Sequence, residues 1–316
     1  MTKALFLLLA LSGAAQAAPH GFYWAAGRAP VLALREKAAG PLLYYGGPVI
    51  SHAKVYAVFW GDAVPAETKA NIGPFFQNML DSAYMDWLSE YSTNRAAVDG
   101  RAGTGQTIGR GRYMGSITIE PSNRSARLTD AQIQAELEAQ IAAGRLPPPD
   151  ADTLYMTYFP AGVSIGMDSE GSCSSFCAYH EGFKTKTGAP VYYGVMPICD
   201  WGCGSGFGAL TSVSSHEAIE AITDPFPTPG SHPAYPQAWN TSGGDEIADL
   251  CTGRDAPLSG HGVTSTVQAL WKNSSNACFN GPWNAPAPAS LARLPAALRL
   301  IPALRGLPAA PAWDGR

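Results

Sequence analysis

The sequence lacks a basic block, and its formal net charge is -4. A polyanionic partner therefore finds no electrostatic footprint, and nucleic acid is excluded as the expected ligand. Past its first residues it has no apolar run long enough to span a bilayer, and no internal repeat. The glycine-containing stretch GTGQTIGRG at residues 103–111 lacks the Lys-Ser/Thr ending and the strand-to-helix setting of a phosphate loop, and reads as a turn before a strand. Ser214 and Ser215 have no nucleophile-elbow pattern around them, which argues against serine hydrolysis.

What is present starts with MTKALFLLLALSGAAQAAPH. Lys3 precedes an apolar run from Ala4 to Leu11 and the small-residue site Ala15-Gln16-Ala17, the pattern of a cleaved secretory signal over residues 1–17. The expected location is secreted, extracellular or periplasmic. Residues 18–40 read as an arm and 41–281 as the folded domain. Residues 282–316, where prolines interrupt every would-be helical turn, read as a disordered Pro/Ala-rich tail.

In an exported chain the six cysteines, Cys173, Cys177, Cys199, Cys203, Cys251 and Cys278, are disulfide candidates. Two C-x-x-x-C pairs with His180 nearby form a rival zinc grip, which an oxidising compartment disfavours. With the first four cysteines bonded among themselves in an order the spacing leaves open, Cys251 and Cys278 pair by elimination.

Residues 54–61, KVYAVFWG, are β-branched and aromatic, as a buried strand requires. Over residues 65–91 the apolar positions Ile72, Phe75, Phe76, Met79, Leu80, Tyr84, Trp87 and Leu88 recur at three and four, which predicts one long or two short helices, with Pro74 as a kink. Residues 111–121 predict a second strand. Thr129 as N-cap, Gln132 as its capping-box partner and Gly144 as a stop bound a helix with Ile133, Leu137 and Ile141 on one face. Strands follow at 153–160 and 190–198, separated by a loop rich in Gly, Ser and Cys, and then a helix at about 207–223. The order predicts an α/β (α+β) fold with a mixed sheet, flanking helices and disulfide-stapled loops.

The last helix carries SSHEAIEAITDP at residues 214–225. Residues four apart lie one turn above each other, so His216 and Glu220 can reach one cation, with Asp224 continuing the line. Glu217, about 100° round the helix, can meet a metal-bound water, the logic of H-E-x-x-H with a carboxylate in place of the second histidine. A carboxylate is an ordinary zinc ligand, but it removes positive charge, so calcium or manganese become competitors. A third ligand comes from NTSGGDEIADLC at 240–251, which offers Glu246 with Asp249 three residues on.

HEAIEAITD at 216–224 followed by DEIAD at 245–249 resembles the thermolysin-type zincins. The resemblance implies zinc bound by His216, Glu220 and Glu246, Glu217 as general base, and Asp249 and Asp224 holding ligands from behind. Glu220 departs from that pattern at a ligand position, and the Glu-to-Asp spacing is three where the pattern has four. His232, Tyr235 and His261, on loops after the helix, are candidate donors to an oxyanion.

A second resemblance is carried by YYGGPVISHAKVYAVFWG at 44–61, the C-x-x-x-C and following histidine at 173–180, the C-x-x-x-C at 199–203, AITDPF at 221–226 and EIADLCTG at 246–253. Together these resemble the Exordium-like, or phosphate-induced, proteins over residues 44–281, and imply a secreted or cell-wall protein. The expected function is a secreted, monomeric zinc metallopeptidase acting on a peptide or protein substrate. The alternative is a non-catalytic extracellular or cell-wall binding protein that keeps the acidic cleft for structure, with calcium as the candidate ion.

Overall fold

The run KVYAVFW, alternating little and apolar throughout, forms the strand from which the rest of the sheet is laid out. The computed structural model describes residues 22–25, 40–167, 170–199, 202–227 and 233–283. The expected signal segment, His232 and residues 284–316 lie outside them. In chain order the first elements are β1 (Phe22–Trp24), β2 (Leu43–Tyr44), β3 (Lys54–Trp60), α1 (Ala66–Leu80), α2 (Ala83–Asp86), β4 (Arg112–Ile119), β5 (Arg127–Thr129) and α3 (Asp130–Ala142). There follow β6 (Thr153–Phe159), β7 (Ser164–Met167), β8 (Glu170–Gly171), β9 (Phe176–Lys184), β10 (Pro190–Pro197) and α4 (Gly206–Thr223). The last are β11 (Trp239–Asn240), β12 (Asp255–Gly260), β13 (Val263–Gln268), β14 (Leu270–Lys272) and β15 (Ala277–Phe279).

The fold is α+β on a six-stranded mixed sheet of order β1-β9-β10-β6-β3-β4. Strands β10, β6, β3 and β4 run parallel, and β9 and β1 are antiparallel to their neighbours. One face packs against α1 and α4 and the other against α3, giving two apolar clusters separated by the sheet. The continuous burial of β6, residue by residue, follows from its place inside a sheet covered on both sides.

Several local expectations match. The capping box of α3 is formed, with Thr129 and Gln132 each accepting the other's backbone N–H. The apolar repeat at 65–91 divides into α1, α2 and a 3-10 turn at Trp87–Tyr91, and Pro74 sits within α1. Ser82 makes the division by accepting the Tyr84 N–H as a new N-cap.

Three features differ from the sequence reading. The loop expected between the strands at 153–160 and 190–198 contains β9, paired along its length with β10. Its Gly182 is required by contact, because a Cβ there would collide with the Pro225 carbonyl at the end of α4. Part of the arm forms β1, at the sheet edge beside β9. The folded body also reaches Trp283, two residues into the expected tail; its buried ring lies edge-on to Tyr84 at 4.7 Å and to Phe279 at 5.2 Å.

The disulfides are Cys173–Cys199, Cys177–Cys203 and Cys251–Cys278. The first two tie β9 to the chain entering α4. No helix among the described residues is long and apolar enough to cross a membrane.

Candidate functional site: a buried histidine and carboxylate cluster

Helix α4 is buried on every side from Thr211 to Thr223. It lies between β9 and β10 of the main sheet and the β12–β13 hairpin. Its acidic residues are therefore not a solvated face: Glu217, Glu220 and Asp224 are all fully buried. Glu246 is equally buried, and of this group only Asp249 keeps side-chain exposure, at 20%. Burying a carboxylate costs several kcal/mol unless something compensates it, so the compensation is the question the site poses.

His216 is held by β13. Its Nδ1–H donates to Gln268 Oε1 at 3.0 Å. The orientation of that amide is fixed, because Gln268 Nε2 donates to the Ala248 carbonyl at 2.7 Å. The backbone of Gln268 is fixed too, its N–H to Ser215 Oγ and its carbonyl to Tyr84 O–H. His216 Nε2 is thereby turned toward the acids, 3.1 Å from Glu220 Oε2 and 3.7 Å from Asp249 Oδ1, buried and without a hydrogen-bond partner.

His180, from β9, approaches from the other side. The sequence reading placed it near the cysteines; the strand turns it into the acids instead. Its Nε2–H donates to the Asp224 carbonyl at 3.1 Å, which leaves Nδ1 facing Glu217 Oε2 at 3.4 Å and Glu220 Oε2 at 3.8 Å. Each imidazole thus has one nitrogen committed to a protein acceptor and the other aimed at carboxylate oxygens. Two acceptors cannot face a nitrogen lone pair without a proton or a cation between them.

The carboxylates are positioned as firmly. Glu220 Oε1 accepts the Asp249 N–H at 3.1 Å, and Oε2 has no partner. Asp249 Oδ2 accepts the Glu246 N–H at 3.0 Å within a turn that leads into the 3-10 segment Asp249–Cys251. Glu246, expected beside His216, has Oε1 3.5 Å from His180 Nε2, and both its oxygens lack hydrogen-bond partners, as does Glu217 Oε1. Asp224 stands apart: its carboxylate accepts from the Ala238 N–H and the Asn240 amide, which anchors β11 to the end of α4. It supports the site through its backbone carbonyl and keeps its side chain out of it.

The resolved proton affinities all move one way. Burial pushes the Glu217, Glu246 and Asp249 carboxyls up, the last two well above the carboxylate range with neighbouring carboxylates adding to the effect. Burial pushes Asp224 up to about 7. For His216 burial acts downward, but the Glu220 carboxylate beside it outweighs this and the pKa rises to about 10. His180 is raised as well, Glu217 overcoming its burial. The pocket demands positive charge.

Two sets of donor atoms come within metal-ligating reach of one another: His180, Glu217 and Glu220, and His216, Glu220 and Asp249. Compared with protein-family models, with curated proteins and with solved structures, the chain matches none of them. The donor set itself suits a divalent cation: each imidazole is pinned through one nitrogen, and one oxygen each of Glu217 and Glu220 and both of Glu246 have no protein donor.

Of the expected oxyanion donors, His232 is outside the described residues, and Tyr235 and His261 make their contacts on the surface. Tyr235 is exposed, with the Arg101 guanidinium 3.9 Å over its ring. His261 is at the tip of the β12–β13 hairpin, 3.3 Å from Asp81. Both sit on turns, which solvent and surface charges claim. The side chain that does reach the cluster from the edge is Tyr23 of β1, whose ring lies edge-on to His216 at 4.9 Å. Its hydroxyl pKa is raised by burial and by the charges of Asp255 and Glu217.

Proposed function

We propose that this protein is a divalent-metal-dependent hydrolase of peptide bonds, working in an oxidising compartment. The observation that carries the reading is His216: its Nδ1–H is fixed on Gln268, and its Nε2 is buried, unpartnered and aimed at Glu220 and Asp249. His216, Glu220 and Asp249 would hold the ion, zinc being the first choice for imidazole with carboxylate and manganese or calcium the competitors. When bound, such an ion acidifies water and polarises a carbonyl.

The chain's own groups supply the rest. Glu217 turns toward His180, and Glu246 is the buried acid with both oxygens free of protein donors. In this reading Glu246, ionised once a cation offsets the neighbouring carboxylates that raise its proton affinity, would take a proton from water, the role the sequence pattern gives to Glu217. Asp249, with its partial exposure, marks the side by which water and substrate enter. Tyr23 is the nearest donor for a developing oxyanion, beside His216. The three disulfides accord with an extracellular or periplasmic setting. The resemblances to zincins and Exordium-like proteins rest on their motifs alone.

The test is metal content by elemental mass spectrometry on purified protein, followed by cleavage of a fluorogenic peptide library with and without chelator. Bound zinc and chelator-sensitive cleavage support the reading. A protein that binds no divalent ion sinks it. Deep burial of all the donors but Asp249 favours a second reading, a structural ion in an extracellular binding protein; bound metal with no cleavage of any peptide would select it.

A further inference from the structure

We propose that the cluster holds two divalent cations, bridged by the Glu220 carboxylate. This rests on the metal reading above and deepens it.

The geometry presents two convergences where the sequence motif presents one. At the first, Glu220 Oε2 and Asp249 Oδ1 stand 3.1 and 3.7 Å from His216 Nε2. At the second, Glu217 Oε2 and Glu220 Oε2 stand 3.4 and 3.8 Å from His180 Nδ1. Two ligands of one tetrahedral zinc lie about 3.3 Å apart, from metal distances of about 2.0–2.1 Å, so each set has the spacing of a single ion's shell. The two histidines fall in separate sets, and Glu220 is the residue common to both. Its Oε1 is occupied by the Asp249 N–H, so Oε2 faces both imidazoles. A carboxylate oxygen so placed bridges two ions, which in two-metal sites lie roughly 3.5–4 Å apart.

Charge balance points the same way. Glu217, Glu220, Glu246 and Asp249 bring four negative charges when ionised. One divalent cation leaves two of them uncompensated in a site whose donors, Asp249 apart, are fully buried. Two divalent cations close the balance. Among the described residues, the ion pairs made by these carboxylates are all with His180 or His216, and none is with lysine or arginine. Buried oxygens on Glu217, Glu220 and Glu246, with His216 Nε2, have no hydrogen-bond partner. The mixed donor set, two imidazoles and three carboxylates, suits manganese and zinc alike.

The decisive experiment loads the chelator-treated full chain with Mn2+ alone. Bound manganese is counted by elemental analysis, and the electron paramagnetic resonance spectrum is recorded. Two ions per chain with an exchange-coupled multiline signal support the proposal. In H180A, which removes a ligand of the second set only, one ion and an uncoupled six-line signal should remain. E220Q should abolish the coupling whatever its effect on occupancy. One ion per chain with an isolated six-line signal in the unmodified protein overturns the bridged pair while leaving the single-metal reading intact; no bound manganese or zinc overturns both.

Discussion

Gln268 Oε1 accepts the His216 Nδ1–H at 3.0 Å while its own Nε2 donates to the Ala248 carbonyl, so the amide can serve the histidine in only one orientation. This fixes a proton on Nδ1 and leaves Nε2, facing the carboxylates, as the nitrogen that a metal ion would take in exchange for its proton. Removing such a partner behind a metal-bound histidine costs about 10–100-fold in affinity. Q268A should weaken zinc binding by that factor in a chelator-competition titration, and Q268E, which retains an acceptor for Nδ1–H, should recover part of it. The backbone bonds of Gln268 to Ser215 and Tyr84 persist in both variants. An unchanged dissociation constant in Q268A would show that the contact serves packing alone.

Glu217 and Glu246 can be told apart by two conservative variants. The sequence pattern makes Glu217 the proton acceptor and Glu246 a ligand; the function proposed above gives the proton to Glu246 instead, because Glu217 faces His180 and Glu246 holds two unpartnered oxygens. E246Q should retain metal and lose at least 100-fold in kcat, the scale of general-base catalysis of about 10²–10⁴. E217Q should lose metal occupancy as well as turnover. If E217Q keeps full occupancy and loses only turnover, the roles are those of the sequence pattern.

The contrast between those readings shows what was legible in the chain. Helical spacing placed His216, Glu217 and Glu220 together, and Glu246 was found because a carboxylate had to come from later in the sequence. His180 has no local signal because β9 mixes Cys, Ala, His, Glu and Gly with its aromatic β-formers and follows a Gly/Ser/Cys-rich stretch, so local propensity reads a loop; pairing with β10 makes it a strand, which Cys177–Cys203 ties down. Gln268 left no local signal, because its role depends on the β12–β13 hairpin packing against α4. Helical spacing puts Asp224 in line with His216 and Glu220, as a residue holding ligands from behind, but it is the C-cap residue, where the chain turns and Ala238 and Asn240 claim its oxygens.

The metal-free protein should lose stability as pH rises. Asp224, at about 7, has a folded pKa above its unfolded value, so the folded state holds the extra proton and its advantage fades between about pH 4 and 7. Glu181, on the other face of the sheet, is pushed up to about 8 by burial and acts in the same sense. His216, raised to about 10, contributes stability that is complete below about 6.5 and disappears as pH passes 10. All three signs agree. The Tm of chelator-treated protein should therefore fall by about 5 °C or more between pH 5 and pH 9, since 2 kcal/mol moves a domain of this size by about 4–8 °C. Added zinc should flatten the profile by replacing protons with a cation; a Tm that climbs with pH in the chelated protein contradicts the assignment.

Cys177–Cys203 joins β9 to the turn before α4, so it spans the two elements that carry His180 and His216. Replacing both cysteines with serine should cost about 3 kcal/mol in denaturant unfolding, the scale for closing a loop of this length. It should also loosen the approach of the two histidines. Metal affinity is the informative readout: a variant that is destabilised by this amount but binds zinc unchanged would show that the sheet pairing of β9 with β10 is enough to position His180.

Trp283 extends the folded body beyond the point where the sequence changes to Ala and Pro. Its buried ring meets Tyr84, whose hydroxyl holds the Gln268 carbonyl, so the end of the domain and the metal-facing histidine share one packing chain. W283A should lose about 3–5 kcal/mol, as expected for deleting a buried tryptophan. A chain stopped after Gly281 should lose as much, whereas one stopped a few residues after Trp283 should unfold like the full chain. Equal stability for the two truncations would place the domain boundary at Gly281 and leave Trp283 outside the core.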